Sequence, residues 1–118
     1  MRITFLFILV ILFIESLATA NESANTLVIP AWVQTVLNNS CIDCHNAEPR
    51  EGQIRLDTLD RLDLAEQLDL LNKAQDQLFF GLMPPQEATP LDDQQKTKLA
   101  SWVRAELNSH NASKLDEK

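Results

Sequence analysis

Cysteine, glycine and histidine are all scarce in this chain, and each shortage excludes a class of site. Both cysteines lie in residues 41–45, which read CIDCH, so no second cysteine pair exists for a four-ligand structural zinc site. Two glycines are too few for a glycine-rich phosphate-binding loop. With only two histidines, we find no Ser/His/Asp set and no converging carboxylate pair, so we expect the protein not to be an enzyme.

Basic residues are also in the minority. The chain has 10 Lys and Arg against 17 Asp and Glu, a formal net charge of −7. Nucleic acid is excluded as an expected partner, because phosphate binding requires a basic face. The acidity fits either a protein that is simply kept soluble by its charge or one that docks on a basic patch of a partner.

The N-terminal segment, residues 1–20, has the layout of a signal peptide. Arg2 is followed by an apolar run over residues 3–14, and residues 18–20 form a small-x-small cleavage site. The apolar run is short for a membrane span, and Glu15 interrupts it. We therefore expect cleavage and export, to the bacterial periplasm, with no stable membrane span. If residues 3–20 are retained, the protein is membrane-anchored.

Hydrophobic periodicity predicts an all-α domain of about three helices and loops. The predicted helices run from residue 30 toward CIDCH, over about residues 64–80, and from residue 92 to about residue 107. Gly81 is expected to end the second helix in a left-handed conformation, and Asp92 to cap the third in a capping box. Trp32 and Trp102 are expected to pack helices together, and Phe79 and Phe80 to line a pocket or the core.

These elements divide the chain into four segments. We expect a signal peptide at 1–20, a polar lead-in at 21–29, one domain at 30–107 and a frayed polar tail at 108–118. A domain of this size buries only about two-thirds of its unfolded surface, so it often needs a covalent or metal staple.

The CIDCH motif is the first candidate for such a staple. If the first helix continues through it, Cys41, Cys44 and His45 lie on one face, one turn apart. Two thiols can then add to the two vinyl groups of a porphyrin while the imidazole reaches the iron. C-x-x-C-H is the spelling typical of haem c attachment, so the motif predicts one covalently attached haem c.

Three other chemistries share the beginning of this motif. A zinc site lacks ligands, since the only other histidine, His110, lies in the tail. A thioredoxin-like dithiol normally lies in a βαβ frame, which the periodicity does not support. A disulfide between Cys41 and Cys44 would close too short a loop to stabilise the fold much. Attachment of c-type haem outside the cytoplasm agrees with the predicted export.

Met83 is the candidate for the second axial ligand of the iron. It is the only methionine beyond the predicted signal peptide, and Pro84 and Pro85 restrict the backbone that presents it. The alternative is that Met83 fills a gap in the core. The rival ligand is His110, which we expect to be a solvated tail residue. A His45/Met83 pair is a standard haem c environment.

Four stretches of the sequence together resemble a known family. They are CIDCH at 41–45, GQIRLD at 52–57, GLMPP at 81–85 and LASWV at 99–103. In this order they look like the planctomycete-type cytochrome c domain, and more broadly the small class I cytochromes c. The resemblance covers about residues 30–107 and departs at Gln53, where a second glycine is common.

The resemblance implies roles for four residues. Cys41 and Cys44 would form the haem thioethers, His45 would be the proximal iron ligand and Met83 the distal one. Such an iron has no open position, which implies an electron carrier that exchanges single electrons with redox protein partners. The acidic charge of the chain fits either solubility alone or a basic docking patch on those partners. The alternatives are a haem enzyme or gas sensor with an open distal site, and a C-x-x-C thiol redox protein.

Overall fold

The computed structural model describes residues 26–115 and shows three α-helices without a β-strand in that range. Helix α1 spans Ala31–Ser40, α2 spans Leu64–Phe79 and α3 spans Asp93–Ser109. Two 3₁₀ turns, Glu51–Gln53 and Leu59–Arg61, lie between α1 and α2. The predicted all-α fold class is confirmed. The predicted signal peptide lies outside the described residues.

Local side-chain chemistry determines where α2 and α3 begin. The Asp92 carboxylate accepts from the Gln95 amide at 2.7 Å, and the Gln95 side chain accepts from the Asp92 amide at 3.0 Å. This reciprocal capping box confirms the prediction at Asp92. Asp63 and Glu66 form the same arrangement at the start of α2, which the sequence analysis did not identify.

Helix α2 ends at a left-handed glycine, as predicted. Gly81 has φ +67°, and its amide donates to the Leu78 carbonyl at 3.2 Å. The Leu82 amide donates to the Gln77 carbonyl at 2.9 Å. These two bonds are the pattern of a Schellman motif, which satisfies carbonyls that the helix leaves without partners.

The core lies between the three helices and is built from aliphatic side chains. Its buried members are Leu27, Val33, Val36, Leu37, Leu59, Leu71, Leu91, Leu99, Val103 and Leu107. Helices α2 and α3 pack against each other. Helix α1 meets α3 where the rings of Trp32 and Trp102 contact edge-to-face, with centroids 6.5 Å apart. Both tryptophans thus pack helices together, as expected.

The buried face of α2 is more polar than its leucine stripe predicts. Gln67 is fully buried; its side-chain carbonyl accepts from the Leu27 amide at 2.7 Å and its amide donates to the Leu59 carbonyl at 2.9 Å. One glutamine therefore satisfies two backbone groups of irregular segments that would otherwise be buried without partners. This holds Leu27 and the second 3₁₀ turn against α2.

Asn72 fixes the C-terminal segment in the same way. Its side-chain amide donates to the Ala112 carbonyl at 2.6 Å, and its side-chain carbonyl accepts from the Lys114 amide at 3.0 Å. The sequence predicts a frayed tail here. The structure differs, because residues 112–114 find backbone partners on α2 that a polar composition does not reveal.

The expectation for Phe79 and Phe80 was wrong. Both rings are exposed, at 64% and 61% of their surface. Successive helical residues point about 100° apart, so the two residues after Leu78 turn away from the face that α2 packs against α3.

Within residues 26–115, no helix is both long and apolar enough to cross a membrane.

Candidate functional site

The CIDCH motif begins directly after α1 ends at Ser40. Cys41 leaves the helical conformation, with φ −129°, and the chain then forms one more turn. In this turn the amides of Cys44 and His45 both donate to the Cys41 carbonyl, at 3.3 and 3.0 Å. An uninterrupted helix through the motif is therefore not what the structure shows. The turn nevertheless keeps Cys41 one helical turn before His45.

A backbone carbonyl orients the imidazole of His45. The Nδ1 atom lies 3.1 Å from the Glu51 carbonyl oxygen, an acceptor that requires the proton to be on Nδ1. In this tautomer of the neutral ring, Nε2 carries the lone pair that can bind a metal. Hydrogen bonds from the other ring nitrogen orient ligating histidines in this way in metal sites. The segment around the histidine is also held, because the Leu56 amide donates to the His45 carbonyl at 2.8 Å.

Sequence reasoning missed Glu51 as a contributor to the site. The contact uses its backbone carbonyl, which every residue type carries, so no residue pattern marks it. The Glu51 amide also donates to the Cys44 carbonyl at 3.0 Å. The first 3₁₀ turn is thereby bonded to CIDCH at two points, and it brings the acceptor to the imidazole.

All four residues predicted for the site border one cavity of about 700 Å³ that opens to solvent. Cys41, Cys44 and His45 line it from the motif, and Met83 lines it from the loop after α2. Its walls include side chains from all three helices, among them Leu37, Leu71, Leu99, Trp102 and Val103. A cavity of this volume and apolar character is in the range of cofactor sites.

The rival ligand and the zinc alternative find less support in this geometry. His110 follows the last residue of α3 and is not among the residues that line the cavity. In the part of the chain from 26 to 115, no group of three or more His, Cys, Asp or Glu side chains is arranged to hold a metal ion. A four-ligand zinc site therefore lacks its ligand set there.

The environment of Cys41 disfavours the thiol redox alternative. Both cysteines are free thiols, and burial raises the pKa of the Cys41 thiol to about 11. The thiolate is the reactive form in disulfide exchange, and catalytic dithiols have one thiol with a lowered pKa. The raised pKa therefore disfavours Cys41 as the attacking thiol of such a pair.

Trp102 lines the cavity and carries a buried hydrogen-bond donor without a partner in the described part of the chain. Its indole Nε1 is buried and has no acceptor among the described residues. Buried polar groups are normally paired, so this N–H group is an exception among the described residues. The donor set as a whole fits haem c: two thiols, an imidazole with a free Nε2 and a thioether, between apolar walls.

Three helices around an apolar cavity, bordered by C-x-x-C-H and a methionine, are the arrangement that the sequence analysis expected of a small c-type cytochrome. The family model of planctomycete cytochrome C matches residues 41–87, from Cys41 through the loop that carries Met83. Residues 41–87 are thus similar to planctomycete cytochrome C, and the resemblance predicted from the sequence is confirmed. The matched family is one of cytochromes c, which bind haem and transfer electrons. No curated protein and no solved structure matches the chain.

Proposed function

We propose that the protein is an exported monohaem cytochrome c that carries single electrons between redox proteins. The supporting observation is that Cys41, Cys44, His45 and Met83 border one apolar cavity. Cys41 and Cys44 are assigned as the thioether anchors, His45 as the proximal iron ligand and Met83 as the distal ligand. Bound haem supplies a one-electron iron couple.

Three features of the site would tune the reduction potential of that couple. The Glu51 carbonyl holds the His45 ring in the tautomer that can ligate, and it increases the basicity of the imidazole. The Met83 thioether is a soft ligand that raises the reduction potential. The leucine and valine walls of the cavity are apolar, so they would lower the local dielectric around a bound haem.

A carrier is favoured over a haem enzyme because Met83 lines the same cavity as His45. With both side chains on the iron, no coordination position remains for substrate or gas. A haem enzyme or gas sensor would require Met83 to be displaced. Among the described residues that line the cavity, we find no further group of side chains arranged for catalysis or for gas binding.

The decisive experiment is expression of the full chain together with a haem-attachment system. We expect a covalent adduct of one haem by mass spectrometry, and a reduced form that does not bind carbon monoxide readily. The Cys41→Ala/Cys44→Ala variant is the matched control and should carry no covalent haem. A wild-type protein without the adduct would reject the proposal, and rapid carbon monoxide binding would favour an open distal site.

Export is tested separately on the same material. N-terminal sequencing of the protein recovered from the periplasm should begin after Ala20. Recovery of a protein that retains residues 3–20 in the membrane fraction would instead identify an anchor.

A further inference from the structure

Three large apolar side chains are exposed together just after α2. Phe79, Phe80 and Leu82 are exposed at 64%, 61% and 57% of their surface, and we call them the α2-end patch. The two phenylalanine rings contact edge-to-face with centroids 5.2 Å apart, so they form one continuous apolar surface. Exposed clusters of this kind commonly mark interaction sites.

The exposure is fixed by the backbone and is not a result of a loose chain end. The segment is held against the last turn of α2 by the left-handed conformation of Gly81 and by the hydrogen bond from the Leu82 amide to the Gln77 carbonyl. A Schellman motif is frequently accompanied by an apolar contact between these two side-chain positions. In this protein the helix position of that contact is occupied by Gln77, which is polar, and Leu82 stays exposed. The space beside Gly81 is open as well.

The α2-end patch is followed directly in the sequence by residues that line the cavity. Met83 directly follows Leu82 and lines the cavity, as does Pro84. A protein that covers the α2-end patch would therefore lie beside two residues that line the cavity. Electron transfer falls steeply with distance, so docking there would favour transfer to a group held in the cavity.

The segment that carries the patch has charge of one sign. Residues 74–95 contain Asp76, Glu87, Asp92 and Asp93 and no lysine or arginine. The next basic residue, Lys96, lies 4.0 Å from the Asp93 carboxylate, and the segment taken together with Lys96 still carries a net negative charge. The basic residue before this segment, Lys73, lies 2.7 Å from the Asp69 carboxylate, which offsets its charge. The complementary partner surface is apolar at its centre and basic at its rim.

We propose that the α2-end patch is the docking surface for a redox protein whose own apolar patch is ringed by lysine and arginine. This inference rests on the proposed electron-transfer function and adds the surface and the partner chemistry. Apolar contact with the phenylalanines would hold the partner beside Met83. The acidic residues of segment 74–95 would steer the encounter.

The test measures oxidation of the reduced, haem-loaded full chain by two protein probes, a lysine-rich mitochondrial-type cytochrome c and an acidic plastocyanin. At low salt we expect the basic probe to react roughly tenfold faster or more, and to slow as sodium chloride is added. The Phe79→Ser/Phe80→Ser variant should react roughly fivefold more slowly with the basic probe at an unchanged reduction potential.

The matched control is Val28→Ser, which removes another exposed apolar side chain, 82% exposed, ahead of α1. Its rate should equal that of the wild type. A faster reaction with the acidic probe, or an unchanged rate in the double variant, would overturn the docking surface. A homodimer that the double variant converts to monomers would show that a second copy occupies the patch. Absence of covalent haem in the wild type would instead reject the underlying electron-transfer function.

Discussion

At the scale of single residues, the proposed iron site combines two side chains that are held in different ways. The His45 imidazole is oriented by a hydrogen bond to the Glu51 carbonyl at 3.1 Å. Met83 is half-buried and lies between Leu82 and Pro84 in a loop that lines the cavity. The proximal side thus depends on a bond between two segments, and the distal side on the stiffness of one loop.

Replacement of Met83 tests the distal assignment. Met83→Ala removes the thioether, and we expect the reduction potential to fall by on the order of 100 mV, within the ~0.8 V that axial ligands span. Potentiometric titration measures this shift, and carbon monoxide should now bind the reduced variant. Leu82→Ala is the control, because Leu82 is exposed and does not line the cavity. A potential that matches the wild type would place the ligand elsewhere.

At the scale of elements, the end of α2 positions both the cavity loop and the exposed patch. The helix ends in the two Schellman bonds at Gly81 and Leu82, and the next residue is Met83. Any change in the direction of the chain at Gly81 therefore moves the thioether relative to His45. The left-handed conformation of one glycine is coupled in this way to the geometry of the site.

Substitution of Gly81 separates backbone strain from steric contact. A Cβ atom at this position meets open space, so the cost of Gly81→Ala comes from φ +67° alone. We expect a loss of about 1 kcal/mol in the free energy of unfolding, measured by denaturant titration. Gly81→Asn should lose less, because asparagine tolerates the left-handed region better. Equal losses in the two variants would mean that conformation is not the cause.

At the scale of the whole molecule, the cavity is large for a domain with so small a core. About 700 Å³ lies between side chains of all three helices, several of them core residues, so an occupant would complete the packing on which the stability of a domain depends.

We therefore expect the fold to depend on the bound group. The Cys41→Ala/Cys44→Ala variant, which cannot form thioethers, should lose most of its helical far-ultraviolet circular dichroism near 25 °C. The haem-loaded wild type should keep it. A cooperative thermal transition in the variant, at a midpoint close to that of the wild type, would contradict this dependence.

Much of the fold could be predicted because its signals are local. The apolar periodicity indicated three helices, and Asp92 and Gly81 indicated a start and an end that depend on residues three or four positions away. The same logic was available at Asp63 but was missed. Phe79 and Phe80 were misplaced, because an aromatic residue is apolar whether it faces a core or a partner.

The sequence by itself determined the helices, the all-α class and the resemblance to planctomycete-type cytochromes c, because caps, periodicity and C-x-x-C-H depend on neighbouring residues. It also named Cys41, Cys44, His45 and Met83 as candidates. Only the tertiary structure decided that these four share one cavity, that the Glu51 carbonyl orients His45, and that the phenylalanines after Leu78 face outward. Those features depend on backbone atoms and on the packing of distant segments, which residue identity alone does not encode.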